Sequence, residues 1–178
     1  MLVVFIVVEG KTIDSMDDAL LRIRSVADYQ FGRGVGQMLF PETVEIQFSK
    51  ATGRIRYVNQ NGERLATLRP TDGLLSLSIK AARPLAENKS PAHCFVTVRN
   101  DVAKYIAEGG DVFALHVVKV NEEIHAKDEV IVMDESGNVL AVGRALLSSS
   151  EMRAFKTGVA VKVRHGCERH VNGKVNYA

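Results

Sequence analysis

Three arginines stand around one predicted hairpin in the first half of the sequence. Alternating apolar and polar residues flank Asn61-Gly62, a dipeptide typical of a two-residue hairpin turn. An uninterrupted hairpin sets Arg54 opposite Arg69 and places Arg56 on the same face. Like charges that face each other across two strands repel, so this face favours a bound anion. The alternative is neutralisation within the protein by one of three nearby acids: Glu42, Glu45 or Asp72.

A second group of basic residues and glycines is spread along the second half. A helix predicted after Asn100 carries Lys104 and ends at Gly109-Gly110, since glycine suits the left-handed residue that follows a helix. If the following strands close into a barrel, this group converges on one surface that meets a sugar-phosphate backbone. Its members are Lys104, Gly109, Gly110, Arg144, Lys162 and Arg164.

Two phenylalanines near this group, Phe113 and Phe155, have the side chain that stacks on an unpaired base. A role in the apolar core is the favoured interpretation for both. We also expect Val130, Val132, Leu140 and Val142 to fill the core of the barrel.

The chain has no recognisable catalytic or metal-binding motif. Its five histidines stand outside any Gly-x-Ser-x-Gly or His-Glu-x-x-His pattern, and its two cysteines do not form a Cys-x-x-Cys pair. Gly32-Arg-Gly-Val-Gly36 follows a helix and matches no nucleotide-binding pattern. These glycines are either an interhelical turn or a close approach to phosphate. We predict a protein that is not an enzyme, with no catalytic residue, no metal and no cofactor.

Composition indicates a folded protein without a membrane span. The 178 residues are 46% hydrophobic, and the net charge of +2 by itself indicates no partner. Met1–Val8 is apolar but too short to cross a bilayer, and we interpret it as a buried strand. Positive charge is concentrated after Met152, where the sequence has six Lys or Arg and a single acidic residue, Glu168. This cluster either meets a polyphosphate or is a solvated tail. The low cysteine content favours a cytoplasmic location.

Apolar spacing predicts one helix, then a sheet, then a barrel. From a cap at Asp14 or Ser15, apolar residues recur at three- and four-residue steps as far as Ala27. From Thr43 the period becomes two, which predicts antiparallel strands. Later strands are predicted at 95–98, 112–120, 129–133, 139–147 and 158–163. The fold class is therefore α+β, a small helix-and-sheet domain followed by a β-barrel. The predicted domains are 1–90 and 91–168, with a basic tail at 169–178.

Two segments resemble known domains. The second half resembles a PUA domain through its strand, helix and glycine opening, its Gly143-Arg144-Ala145 segment, and its closing Gly158-Val-Ala-Val-Lys-Val-Arg164. The first half is similar to the accessory C2 domain that precedes PUA in archaeal archaeosine tRNA-guanine transglycosylases. That similarity rests on Ala27-Asp-Tyr-Gln-Phe-Gly-Arg-Gly34 followed by Phe40-Pro41.

The resemblance implies an RNA-binding protein directed at tRNA. It implies a recognition module for archaeosine-type modification, either alone or beside a separate catalytic transglycosylase subunit. The chain has no room for the family's catalytic barrel, which needs roughly 200 residues or more. The competing hypothesis is a protein-interaction subunit of an RNA-modifying or ribosome-associated complex without RNA affinity of its own.

Overall fold

The computed structural model describes residues 16–87 and 91–168. The predicted strand Met1–Val8, the cap at Asp14 or Ser15, and the basic tail 169–178 lie outside the described residues. The chain folds as two units, Met1–Ser76 and Leu77–Ala178.

The first unit begins with a helix whose buried face is the one the sequence predicts. Helix α1, Met16–Phe31, is followed by α2, Val35–Leu39. The residues of α1 that are completely buried recur every four positions, which places them on one side of the helix. They are Ala19, Ile23, Ala27 and Phe31.

The glycine-rich segment between α1 and α2 is an interhelical turn. Gly34 adopts a φ of 89° just before α2, and the backbone N–H of Gly36 donates to Asp28 Oδ1 at 2.6 Å. A Cβ atom at Gly36 would overlap the backbone of Arg24 in α1. Glycine at position 36 therefore allows the two helices to approach closely.

The rest of the first unit is a four-stranded sheet in the order β1-β2-β3-β4. Asn61 and Gly62, with φ of 52° and 77°, form the predicted two-residue turn between β2 and β3. The four strands are β1, Glu45–Phe48; β2, Ile55–Gln60; β3, Glu63–Leu68; and β4, Leu75–Leu77.

The register of this hairpin differs from the uninterrupted one. Tyr57 pairs with Thr67 instead of Ala66, because the ladder shifts between Val58 and Asn59. A second shift in the β1–β2 ladder leaves Arg56 without a paired residue. Bulges of this kind redirect side chains locally. The predicted opposition of Arg54 and Arg69 is wrong, since both lie outside the paired strands.

The second unit is a nearly closed barrel of six strands in the order β6-β10-β9-β8-β5-β7. The first and last strands of this order, β6 and β7, are separated in sequence by the single 3₁₀ turn Ala114–His116, so one short turn connects the two edges of the sheet. This turn interrupts the continuous strand predicted at 112–120. The bounds are β5, Phe95–Val98; β6, Val112–Phe113; β7, Val117–Val120; β8, Glu129–Met133; β9, Val139–Ala145; and β10, Val159–Gly166.

Three helices accompany the barrel. They are α3, Ile79–Glu87; α4, Ala103–Ala107, preceded by a 3₁₀ turn at Asn100–Val102; and α5, Ser149–Ala154. Helix α3 buries Ala81, Ala82 and Leu85 and contacts β9 within the second unit. The barrel core contains Val130, Val132 and Leu140, as predicted, and Val142 is also completely buried. The α+β class, a helix and antiparallel sheet followed by a barrel, is confirmed. The boundary at residues 90 and 91 stays a prediction.

A glycine at the end of β10 provides a stability prediction. A Cβ at Gly166 would overlap the carbonyl oxygen of Ala107 and lie 2.7 Å from the backbone nitrogen of Gly109. Gly166→Ala should therefore lower the free energy of unfolding by about 1–3 kcal/mol in a denaturant titration. Gly110→Ala is the matched control, because its Cβ would meet only the exposed side chain of Tyr105, which can move aside. Equal losses for the two variants would contradict the close backbone approach.

The two cysteines should differ in reactivity. Burial raises the pKa of the Cys94 thiol to about 12, with the charge of Glu129 adding to the effect. Burial also raises the pKa of Cys167, which is only partly covered. Because the thiolate is the reactive form, an alkylating reagent at mildly alkaline pH should modify Cys167 first and Cys94 only after unfolding. Peptide mass spectrometry checks this, and rapid labelling of Cys94 in the folded protein would contradict it.

Candidate nucleic-acid interface

Two of the predicted basic residues are neighbours on the outside of the barrel. Lys162 on β10 lies directly opposite Arg144 on β9, so their side chains share one face of the sheet. Both residues are exposed. Arg144 Nε donates to the carbonyl oxygen of Lys127 at 3.2 Å, which holds the guanidinium beside the chain at Lys127. The pair forms a small cationic patch that solvent and a polyanion can reach.

An aspartate connects this patch to the glycine turn. Asp111 Oδ2 accepts from Lys162 Nζ at 2.7 Å, and Asp111 Oδ1 accepts from the backbone N–H of Val163 at 2.9 Å. The Lys162 side chain nevertheless stays 66% exposed. An exposed ion pair of this kind contributes only about 0–1 kcal/mol, so a phosphate can compete for the ammonium group. Asp111 therefore neutralises part of the positive charge of the predicted surface.

The backbone N–H groups of the Gly109-Gly110 turn already cap helix α4. The N–H of Gly109 donates to Ile106 and the N–H of Gly110 donates to Tyr105, both at 2.9 Å, and Gly109 has a φ of 104°. These two bonds are those of a Schellman motif, which satisfies the last carbonyls of a helix. The turn thus offers a small profile to a ligand, while these two N–H groups are already used. Lys104 is exposed on α4, the helix that this turn ends.

Arg164 occupies a different environment from Lys162. Its Nη1 donates to Glu129 Oε2 at 2.9 Å, its Nη2 donates to the carbonyl oxygen of Leu77 at 2.9 Å, and Nη2 also bonds Glu129 Oε1. Glu129 is completely buried and accepts from the N–H of Leu77 at 2.8 Å. The guanidinium therefore holds the start of the second unit against β8. We assign Arg164 a structural role rather than a place in the cationic patch.

The arginines of the first unit do not form the single face that the uninterrupted register predicts. Arg69 forms an ion pair with Asp72 at 3.0 Å, which is one of the neutralising contacts anticipated from the sequence. Arg54 and Arg56 are exposed. Arg56 Nε donates to the Tyr57 hydroxyl at 2.9 Å.

The structure adds two residues that the sequence patterns did not indicate, Arg64 and Tyr57. The Arg64 guanidinium carbon lies 3.7 Å from the centre of the Tyr57 ring, and that of Arg56 lies 5.3 Å from it. The hydrogen bond from Arg56, followed by the charges of Arg56 and Arg64, lowers the pKa of the Tyr57 hydroxyl. Arg64 pairs with Asn59, which lies two residues from Tyr57 on β2, so strand alternation places Arg64 and Tyr57 on one face.

Both phenylalanines are more exposed than predicted. Phe113 is 42% exposed and Phe155 is 46% exposed, so the favoured core role is wrong for both. Phe113 sits on the edge strand β6, where its ring contacts His116 edge-on at 6.5 Å between centroids. Phe155 directly follows α5. Either ring is accessible to a partner.

The described ranges contain no group of three or more His, Cys, Asp or Glu that is able to hold a metal ion. No helix within residues 16–87 and 91–168 is long and apolar enough to cross a membrane.

Comparison with protein families accounts for both units. Residues 21–91 match the model described as the patch-forming domain C2 of tRNA-guanine transglycosylase, and residues 95–167 match the PUA domain. The chain therefore contains a region similar to the C2 domain followed by one similar to the PUA domain. The C2 match includes α3, although this helix packs on β9 within the second unit. Lys104, Gly109, Gly110, Arg144, Lys162 and Arg164 all lie in the PUA domain, and Arg54, Arg56 and Arg69 lie in the C2 domain.

Curated relatives match the C2 and PUA domains together. The chain is 42% identical over 159 residues to the tRNA-guanine(15) transglycosylase of Thermoplasma acidophilum, covering 89% of this chain and 24% of the relative. It is 38% identical over 152 residues to that of Methanobrevibacter smithii, covering 85% of this chain and 23% of the relative. The chain therefore spans about a quarter of the length of the curated relatives that it matches.

Solved structures support the fold. A hypothetical protein from Pyrococcus horikoshii superimposes with a TM-score of 0.68 at 26% identity, covering 85% of this chain and 92% of that one. A conserved PUA domain protein from Thermoplasma acidophilum gives a TM-score of 0.63 at 22% identity, covering 88% and 93%. The barrel of the second unit is thus of PUA type, as predicted.

Proposed function

We propose that the C2–PUA chain binds RNA and serves as a tRNA-recognition module in archaeosine-type tRNA modification. The observation that carries this proposal is the joint match of the C2 and PUA domains to transglycosylases named for tRNA, over about a quarter of their length. The chain matches only about a quarter of the length of those relatives. Base exchange is therefore not part of the proposal. Action in the cytoplasm, where tRNA is modified, is part of the proposal.

The PUA domain supplies the phosphate contacts in this proposal. Lys162 and Arg144 share one exposed face. Asp111, the residue after the Gly109-Gly110 turn, forms an ion pair with Lys162. Lys104 adds a cation on the helix before that turn. Phosphate contacts provide affinity, while the shape of a folded RNA provides much of the selectivity, because the major groove of an RNA helix is too narrow for side chains.

The chain acts in this proposal either alone or with a separate catalytic transglycosylase subunit. A pull-down of purified chain with candidate catalytic subunits, with and without tRNA, separates the two forms. Association that requires tRNA points to a shared substrate, whereas association without tRNA points to a permanent subunit.

A salt titration tests the proposal. A tRNA transcript should bind in a gel-shift assay at low salt, and the logarithm of the association constant should fall linearly with that of the salt concentration, by about 0.7 to 0.9 per phosphate contact. A DNA hairpin of the same length is the matched control and should bind less tightly, because DNA lacks the 2′-hydroxyl and the A-form shape. Absence of tRNA binding at low salt, or binding that salt does not weaken, would contradict RNA recognition.

A second function, a protein-interaction subunit without its own RNA affinity, is favoured by exposed apolar side chains on the PUA domain. Phe113 lies opposite Val159, and the N–H of Leu146 donates to the carbonyl oxygen of Ala160, so both residues flank the start of β10. They are 42% and 46% exposed. Exposed apolar groups that lie together are typical of protein contacts. This function predicts association with an RNA-modifying or ribosomal protein and no gel shift with tRNA.

A further inference from the structure

The C2 domain places one guanidinium against an aromatic ring. Arg64 follows the hairpin turn on β3, and its guanidinium carbon lies 3.7 Å from the centroid of the Tyr57 ring. That separation is a stacking distance, well inside the range of about 6 Å for cation–π contacts. Arg56 Nε donates to the Tyr57 hydroxyl at 2.9 Å, which restrains the ring. Arg64 is nevertheless an exposed residue.

The β2–β3 ladder places Arg64 and Tyr57 on one face of the sheet. In the β2–β3 ladder, Tyr57 pairs with Thr67 and Asn59 pairs with Arg64, and the shift between them leaves Leu65 unpaired. Leu65 is buried, which keeps the bulge in place through the core. Because a bulge adds one residue to one strand, it changes which side chains meet across the pair. Arg64 is therefore placed beside Tyr57 by its pairing with Asn59, which lies two residues from Tyr57 on β2 and so on the same face.

We propose that the outer face of the Arg64 guanidinium is a stacking platform for an unpaired RNA base. Guanidinium planes and aromatic rings are the groups on which proteins stack splayed-out bases. Tyr57 occupies one face of the guanidinium, and the other face is available to a base. Arg54 and Arg56, both exposed, place positive charge beside the platform for the flanking phosphates.

The ligand of this site is a single-stranded segment, such as a loop, a bulge or an end. A base inside a duplex has both faces covered by its neighbours and has none left for the guanidinium. The inference rests on the proposed RNA-binding function and adds a site and a class of ligand to it.

The decisive variant is Arg64→Lys, which keeps the positive charge and loses the plane. The probe is a short single-stranded RNA with 2-aminopurine at its centre, whose fluorescence falls when the base stacks. In the full chain, binding should quench this fluorescence. Arg64→Lys should weaken binding of the probe about tenfold and abolish the quenching. The salt dependence of binding should stay the same, because the charge is retained.

Two further variants serve as a second test of the stack and as a control. Tyr57→Leu removes the support below Arg64 and should reduce quenching in the same direction. Arg33→Lys makes the same exchange at an exposed arginine outside the sheet and should change nothing. Circular dichroism and thermal unfolding establish that each variant is folded, and Arg64→Lys replaces an exposed side chain, so it should fold normally.

The outcomes separate the platform from RNA binding itself. If Arg64→Lys binds and quenches the probe like the parent chain, or if it changes only the salt dependence, Arg64 is a phosphate contact or a bystander and the platform is overturned. If the chain still shifts tRNA in that case, the proposed function survives. If neither tRNA nor the probe binds at low salt, both are overturned.

Discussion

Arg164→Met should lower the free energy of unfolding by about 3–5 kcal/mol, which is the cost of removing one partner from a buried ion pair. Glu129 has no exposed surface and shares its two oxygens between Arg164 and the N–H of Leu77. Without the guanidinium, the buried carboxylate of Glu129 loses its ion pair with Arg164. Equilibrium denaturation in urea measures the loss.

A second substitution should recover part of this loss. In Glu129→Leu/Arg164→Met the buried charge is gone, so the double variant should be more stable than Arg164→Met alone, even though the N–H of Leu77 loses its acceptor. Lys162→Met is the matched control on the same strand. Its ion pair with Asp111 is exposed, and the loss should be about 0–1 kcal/mol. Equal stability of Arg164→Met and Lys162→Met would show that the Glu129 pair has no structural role.

Removing the three cations Lys104, Arg144 and Lys162 together should weaken tRNA binding about 100-fold at about 0.1 M salt. Each alanine removes one expected phosphate contact, so the slope of log affinity against log salt should decrease by about 2–3. The three side chains are exposed, so the variant should fold like the parent chain. Gel-shift titrations at several salt concentrations measure both quantities.

The control for this variant replaces three other exposed cations of the PUA domain by alanine, so the net charge changes by the same amount. Arg99, Lys119 and Arg153 are exposed residues of the PUA domain that lie outside α4, β9 and β10. Their triple alanine variant should shift tRNA nearly as well as the parent chain. If both triple variants lose the same affinity and the same salt slope, net charge governs binding and the patch of Arg144 and Lys162 is not the interface.

Local patterns were enough to predict most elements of the fold. The four-residue spacing of Ala19, Ile23 and Ala27 predicts the helix, and Asn61-Gly62 predicts the hairpin turn that the structure has. Such patterns work because helix and strand periodicity depend on neighbours a few residues away. The break of the 112–120 strand at Ala114–His116 escaped prediction. That turn exists because the barrel must close, which depends on the whole sheet.

The site was harder to predict than the fold. Lys162 and Arg144 were grouped on one surface from the sequence, and the structure pairs them on the outside of the barrel. Their role in RNA binding stays a prediction. Arg164, two residues after Lys162, was grouped with them, yet it contacts Glu129 and Leu77, which are 35 and 87 residues away in sequence. Arg64 was missed because the arginine face inferred from the sequence held only Arg54, Arg56 and Arg69, whereas Arg64 lies with Tyr57 on the other face.

The sequence by itself determined the order of helix, sheet and barrel, most of the strands, and the resemblance to the C2 and PUA domains, because residue spacing and local motifs carry this information. Only the tertiary structure decided which cations are available to a ligand. A guanidinium is committed or accessible according to the acid, carbonyl or ring that folding brings beside it. For Arg164 that neighbour is a buried carboxylate, and for Arg64 it is the face of a tyrosine.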